Sequence, residues 1–147
     1  MYQRILIATD GSPLSKKAVG SAVGLAAGLG ASLVALYVVP RYAVSYFEGA
    51  VTMSVQEVGR IEQLWTDKGQ TVIDAVQRLA RTRGVETKGV LAHSDLVAEA
   101  VIAAARKNRC DLIVMASHGR KGIKRLLLGS ETQHVLTHST VPVLVLR

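Results

Sequence analysis

Residues 4–13 read Arg4-Ile5-Leu6-Ile7-Ala8-Thr9-Asp10-Gly11-Ser12-Pro13. Arg4 to Thr9 is a short apolar run of strand type, and Asp10-Gly11-Ser12-Pro13 breaks it. Ser12 is a good helix N-cap and Pro13 suits the first helical position. Ala18, Val19, Ala22, Val23, Ala26 and Leu29 then keep a helical period up to Gly30. A buried-type strand that passes into a helix through a tight polar turn is the opening of an α/β chain.

The alternation continues downstream. Leu33 to Val39 reads as a second strand stopped by Pro40. Residues 40–50 read as a loop carrying Tyr42, Tyr46 and Phe47. A long helical pattern follows through Val51, Val55, Val58, Ile61, Trp65, Val72, Val76 and Leu79, with Gly59 and Gly69 expected to bend or split it and Gly84 to end it. Val85 to Leu91 is a third strand, and Ser94 is placed to cap a helix through Leu96, Val97, Ala100, Val101 and Ala104. Asp111 to Ala116 is a fourth strand, residues 117–128 are rich in Gly and basic residues, Ser130 opens a helix to about Thr137, and Val141 to Leu146 is a fifth strand. Continuous apolar strands alternating with helices predict a five-stranded parallel, doubly wound sheet with helices on both faces. Its ligand site is expected beyond the C-terminal strand ends, so Asp10-Gly11-Ser12 and Ser117-His118-Gly119 are the first candidates.

With 147 residues, 49% of them hydrophobic, the chain reads as one domain with a real core, residues 1–147. The single cysteine, Cys110, excludes an intrachain disulfide and a cysteine-cluster metal site, and fits a reducing cytoplasm. The start goes directly into the first strand without a charged-then-apolar leader, which adds to the cytoplasmic expectation. Ala18 to Val39 carries no charge and spaces Gly20, Gly24 and Gly28 four apart, which imitates a membrane span. Its weakly hydrophobic Ala, Gly and Ser content and the stop at Gly28-Leu29-Gly30 argue instead for a helix packed through its glycines on a sheet, and no membrane partner is expected.

The net charge of +7 is unevenly placed. Residues 1–74 are balanced, and residues 75–147 carry the whole excess. It gathers in Arg78/Arg81/Arg83, Arg106/Lys107/Arg109 and Arg120/Lys121/Lys124/Arg125, which points to an anionic partner. The bland reading of the first two clusters is a solvated helical face. Few aromatic residues, 4%, argue against base stacking, so nucleic acid is an unlikely partner.

Familiar nucleotide signatures are missing: no Gly-x4-Gly-Lys-Ser/Thr occurs, and no Gly-x-Gly-x-x-Gly follows a strand. His134 and His138 have helical ligand spacing, with only Glu131 nearby, and read as exposed or capping histidines rather than a metal site. The informative segment is Met115 to Ser130. Gly119 lets backbone approach a ligand closely, and Gly129-Ser130 opens a helix whose free N–H groups and dipole favour a phosphate. Asp10 would repel that phosphate unless Mg²⁺ bridged them. The residues by themselves leave open a nucleotide site, a protein-interaction surface and a nucleic-acid surface.

The chain resembles the universal stress protein family over essentially its whole length. Ile5-Leu6-Ile7-Ala8-Thr9-Asp10-Gly11-Ser12 is similar to the family's opening, usually Val-Pro-Thr-Asp-Gly-Ser. Leu36-Tyr37-Val38-Val39 is similar to its second-strand end. Ile113-Val114-Met115-Ala116-Ser117-His118-Gly119 is similar to its Met-Gly-Ser-His-Gly segment, and Gly129-Ser130 with Val141-Pro142-Val143-Leu144-Val145 to its close.

The resemblance implies an adenine-nucleotide alpha-hydrolase-like fold and, in members that keep Gly-x2-Gly-x9-Gly-Ser/Thr, binding of ATP. Here that motif maps to Ala116-Ser117-His118-Gly119, residues 120–128 and Gly129-Ser130, with Ala116 in place of the first glycine. By the same implication Ala8, Thr9 and Val38 flank the adenine and ribose, and Met115, Ala116 and His118 also contact the nucleotide. Asp10 lies near the ribose or a Mg²⁺ ion, and Gly119, Arg120, Gly129, Ser130 and Thr132 hold phosphates. The family's Pro at position 8 is Ala8, and its Gly-x-Pro before the third helix is replaced by Asp95-Leu96-Val97. A cytoplasmic homodimer paired through Val141 to Leu146 is implied, as is a role for ATP as a regulatory or sensing ligand in a stress response. No catalytic residue is assigned; weak ATP hydrolysis is the most that Asp10 and His118 would support. The alternative within the family is a nucleotide-free member that acts as a protein-interaction module.

Overall fold

The computed structural model describes residues 1–41, 54–119 and 128–147. Five strands form one sheet: β1 (Arg4–Ala8), β2 (Ser32–Val39), β3 (Thr87–His93), β4 (Leu112–Ala116) and β5 (Val143–Leu146). Four helices alternate with them: α1 (Pro13–Leu29), α2 (Val55–Thr82), α3 (Val97–Lys107) and α4 (Ser130–His138). The strand order is β3-β2-β1-β4-β5 with every neighbouring pair parallel, the expected doubly wound arrangement.

Side-chain alternation along the strands divides the core in two. Ile5 and Ile7 of β1, with Leu33, Ala35 and Tyr37 of β2, face α1 and the C-terminal half of α2. Leu6, Val34, Leu36, Ile113 and Met115 face α3 and Val135 of α4. Ile5, Leu6, Ile7, Leu36 and Ile113 are fully enclosed, and each such side chain contributes about 1.5–3 kcal/mol of transfer free energy.

Local chemistry sets the element ends. Ser12 caps α1 by accepting from the Ser15 N–H at 3.3 Å, and Pro13 follows it. Ser54 opens α2 in a reciprocal box with Glu57, whose carboxyl is held below its usual range by the Ser54 N–H and then by the Ser54 hydroxyl. β3 begins at Thr87 rather than Val85, because the Val85 N–H goes back to the Ala80 carbonyl to close α2. β5 begins after Pro142, and Val141 is instead held in a turn in which its N–H donates to Ser139 Oγ at 3.0 Å.

Three further sequence expectations are corrected. The glycines of α1 do not pack it against the sheet: a side-chain carbon added at Gly20, Gly24 or Gly28 would meet nothing within 4 Å, and all three are exposed. The buried face of α1 is Ala18, Val19, Ala22, Val23 and Ala26. Second, α2 is one uninterrupted helix of 28 residues, about 42 Å at 1.5 Å per residue, not a split one. Gly69 is the contact glycine, since a side-chain carbon there would lie 2.7 Å from Tyr37 Cδ1. Third, Ser94 does not cap α3. Its hydroxyl accepts from the Leu96 N–H at 3.0 Å in a turn, Leu96 holds the cap position, and the Ala98 N–H donates to Glu131 Oε2 at 2.9 Å.

No helix among the described residues is long and apolar enough to cross a membrane. Val51 and the loop carrying Tyr42, Tyr46 and Phe47 lie outside the described residues.

Candidate functional site

The chain winds from β1 outward to β2 and β3, then returns to β4 on the other side of β1. In open α/β sheets such a reversal is where a ligand crevice forms, which here is the region beyond the C-terminal ends of β1 and β4.

After β1 the chain turns sharply. Gly11 adopts φ +78°, a left-handed conformation that favours glycine. Asp10 Oδ1 accepts from the Ser12 N–H at 2.9 Å, while Thr9 is buried with its hydroxyl 3.0 Å from Ser15 Oγ. The Thr9 N–H donates to the Leu36 carbonyl, tying this turn to β2. After β4, Ser117 is fixed from both sides: its N–H donates to Leu146 O and its carbonyl accepts from the Gly129 N–H, each at 2.7 Å. Ser117 Oγ lies 3.2 Å from His118 Nδ1.

The two turns meet at Asp10 and Gly119. A side-chain carbon on Gly119 would fall 2.5 Å from Asp10 Oδ2, so the carboxylate lies against bare backbone. Gly119 φ is not in the left-handed region, so the close approach is what requires glycine here.

Gly129 then starts α4 from an extended conformation, φ −60° and ψ 153°, with no side-chain cap. Among the described residues, the first N–H groups of α4 have no capping side chain. Glu131, in the first turn of α4, has its carboxylate on the Ala98 N–H of α3. Thr132 is 2% exposed, and its hydroxyl donates to the Ala116 carbonyl at 3.0 Å, which fixes α4 to the end of β4.

Ala8, Val38 and Met115 all lie on the α3/α4 face at the last rungs of three strands, Ala8 and Val38 half-buried and Met115 buried. They make the sheet apolar on that face near its C-terminal end. Ala116 ends β4 without a left-handed φ and is 7% exposed, so its methyl fits an ordinary strand position. The structure thus brings Ala8, Thr9, Asp10, Met115, Ala116, His118, Gly119, Gly129 and Ser130 to one end of the sheet, with Val38 on the adjacent strand. Arg120, Lys121, Lys124 and Arg125 lie outside the described residues. Two contacts were not legible in advance: Glu131 as the cap of α3, and Ser117 as the post that both β5 and α4 hang on. Neither carries a local sequence signal.

The family model for the universal stress protein family matches residues 1–147. The chain belongs to the universal stress protein family. This universal stress protein is 34% identical to universal stress protein MJ0531 of Methanocaldococcus jannaschii, covering 100% of this chain and 83% of that one. It is 31% identical to universal stress protein YxiE of Bacillus subtilis, with both chains covered in full. Among solved structures, a universal stress family protein of Burkholderia pseudomallei superposes with a TM-score of 0.78 at 30% identity, covering 99% and 96% of the two chains. More distant members share the fold and were solved with adenine nucleotides: one with cAMP at TM-score 0.69 and 23% identity, and one from Arabidopsis thaliana with AMP at 0.70 and 15%. The cAMP complex is covered at 99% and 97% of the two chains, and the AMP complex at 98% and 90%.

Proposed function

We propose that this universal stress protein binds ATP in the crevice between β1 and β4, as a regulatory or sensing ligand rather than as the substrate of a hydrolytic machine. The observation that carries the reading is the start of α4 at Gly129-Ser130, without a side-chain cap among the described residues and held at the end of β4 by Ser117 and Thr132. Free N–H groups and the positive helix end favour phosphate there. Glu131 strengthens the case, because its carboxylate is spent on α3 and does not answer the α4 N–H groups itself. The adenine nucleotides bound by distant relatives support the base class.

In this reading Ala8, Val38 and Met115 form the floor beneath the adenine, beside Thr9, Ala116 and His118. Gly119, Arg120, Gly129 and Ser130 hold the phosphates, and Thr132 positions α4. Among the described residues Asp10 is the carboxylate in the turns that follow β1 and β4, and it would be the residue to hold a Mg²⁺ ion. The ion would neutralise phosphate charge beside that carboxylate. The protein works as a cytoplasmic homodimer through the outer edge of β5, an apolar edge strand with Leu144 exposed and no strand beyond it among the described residues.

The test is nucleotide binding by Gly129→Val with Ser130→Val. A side-chain carbon added at Gly129 would meet the His118 Cα and the Ser117 carbonyl at 3.4 Å, an ordinary van der Waals contact. The double variant is expected to keep its circular dichroism and lose ATP binding. Wild-type affinity in the double variant would refute the site.

A further inference from the structure

We infer that the opposite end of the sheet holds a second anion site, which takes a compact, multiply charged phosphate group among Arg4, Lys88, Lys107 and Arg109. A groove of about 490 Å³ opens there, between the N-terminal ends of the strands and the C-terminus of α3. Those four cations line it against one carboxylate, Glu86. Among the described residues none of them forms an ion pair with an acid.

Two of the cations converge on one buried residue. Arg4 Nη1 donates to the Asn108 carbonyl and Lys88 Nζ to Asn108 Oδ1, each at 2.9 Å, while Asn108 Nδ2 donates to Ala104 O at 2.8 Å. Asn108 is 9% exposed. A neutral amide gathers the two cations without cancelling their charge, so the groove keeps a net positive field.

Arg109 supplies the independent observation. Helices α1, α2 and α3 close in the same way, with one residue in the left-handed region and the next N–H returning to a carbonyl five residues back: Ala31 to Ala26, Val85 to Ala80, Cys110 to Ala105. In α1 and α2 the left-handed residue is Gly30 and Gly84, at φ +67° and +68°. In α3 it is Arg109 at φ +54°, the only non-glycine residue with positive φ among those described. A side chain is strained at that position, where glycine is not. Complementing the helix dipole does not require it, since Arg106 and Lys107 already sit in the last turn. The strain is accounted for if the guanidinium works in the groove.

The groove lies at the other end of the strands from Asp10 and Gly129, so this site stands apart from the proposed nucleotide site. The test is calorimetric titration of the full chain with inorganic tripolyphosphate at low salt. Arg109→Gly is expected to fold with a melting temperature at or above wild type, because glycine suits the backbone there, and to lose about tenfold in tripolyphosphate affinity, the effect of one charge-assisted hydrogen bond. Lys107→Gln is expected to weaken binding in the same direction, and Gly129→Val with Ser130→Val to leave a tripolyphosphate site in place. Unchanged affinity in Arg109→Gly would overturn the proposal. So would loss of all tripolyphosphate binding in the Gly129→Val/Ser130→Val protein, which would put the anion at the other end. Tighter binding of single-stranded RNA than of tripolyphosphate, weakened by Arg109→Gly, would overturn the compact anion in favour of a nucleic acid.

Discussion

The carboxylate of Asp10 occupies the space that a side chain on Gly119 would need: the added carbon would lie 2.5 Å from Oδ2. The turn after β1 and the turn after β4 are thereby fitted to each other. Asp10 has little freedom to yield, because Oδ1 holds the Ser12 N–H at the start of α1. Gly119→Ala is expected to destabilise the protein by about 1–3 kcal/mol, the range for overpacking. In combination with Asp10→Ala the cost should be smaller than the sum of the two single variants, because the clash is gone. Denaturant unfolding of the four proteins measures the coupling; strict additivity would contradict the contact.

Glu131 caps a helix other than its own. Glu131→Ala removes the acceptor on the Ala98 N–H and should cost about 0.5–2 kcal/mol, the range for a lost N-cap. Glu131→Gln keeps an oxygen in place and should recover part of the loss. Equal melting temperatures for all three proteins would show that the cap contributes nothing.

The glycines of the helices divide into two kinds. Gly24→Ala meets nothing within 4 Å and should stabilise α1 by up to about 1 kcal/mol, since alanine is the better helix former. Gly69→Ala drives a methyl to 2.7 Å from the Tyr37 ring and 2.9 Å from Leu91, and should destabilise by about 1–3 kcal/mol. Thermal melts of the two variants should therefore move in opposite directions.

Cys110 is buried beneath the C-terminus of α3, and burial pushes its thiol up to about 11 from an ordinary 9.0, against the smaller opposing effect of Arg4. The native thiol should react with a disulfide reagent at neutral pH only as fast as the chain opens, and denaturant should release it. The unfolded thiol ionises near 9 and the native one near 11, so the unfolded state binds fewer protons in that interval. Stability from this group is therefore complete below about pH 9 and declines as pH rises towards 11. Fast labelling in native buffer would contradict the burial.

Much of the architecture was legible because the strands are continuous apolar runs: Leu33 to Val39 and Leu112 to Ala116 could only be buried on both faces. The turn residues Asp10-Gly11-Ser12-Pro13 fixed the start of α1, and Gly129-Ser130 marked the start of α4. Other features depend on partners far along the chain. Glu131 reaches Ala98 across 33 residues, and nothing beside either residue announces it. Glycine periodicity in α1 imitated a packing face, because spacing does not tell which side of a helix meets the sheet. Val85 read as strand because it is apolar, yet it is buried where its N–H closes α2 on the Ala80 carbonyl. Ser94 read as a cap by residue type, while the backbone put the helix start two residues later.

The central claim is that the crevice between β1 and β4 binds ATP. The most direct measurement is to release ligand from the purified protein by denaturation, identify it by anion-exchange chromatography, and titrate the ligand-free protein with ATP and Mg²⁺ by calorimetry. The account predicts released adenine nucleotide or micromolar ATP affinity, about −8 kcal/mol of binding free energy, which the methyl of Ala116 permits and the Gly129→Val/Ser130→Val protein lacks. No nucleotide and no heat of binding would contradict it and would point to a nucleotide-free universal stress protein that acts through a protein partner.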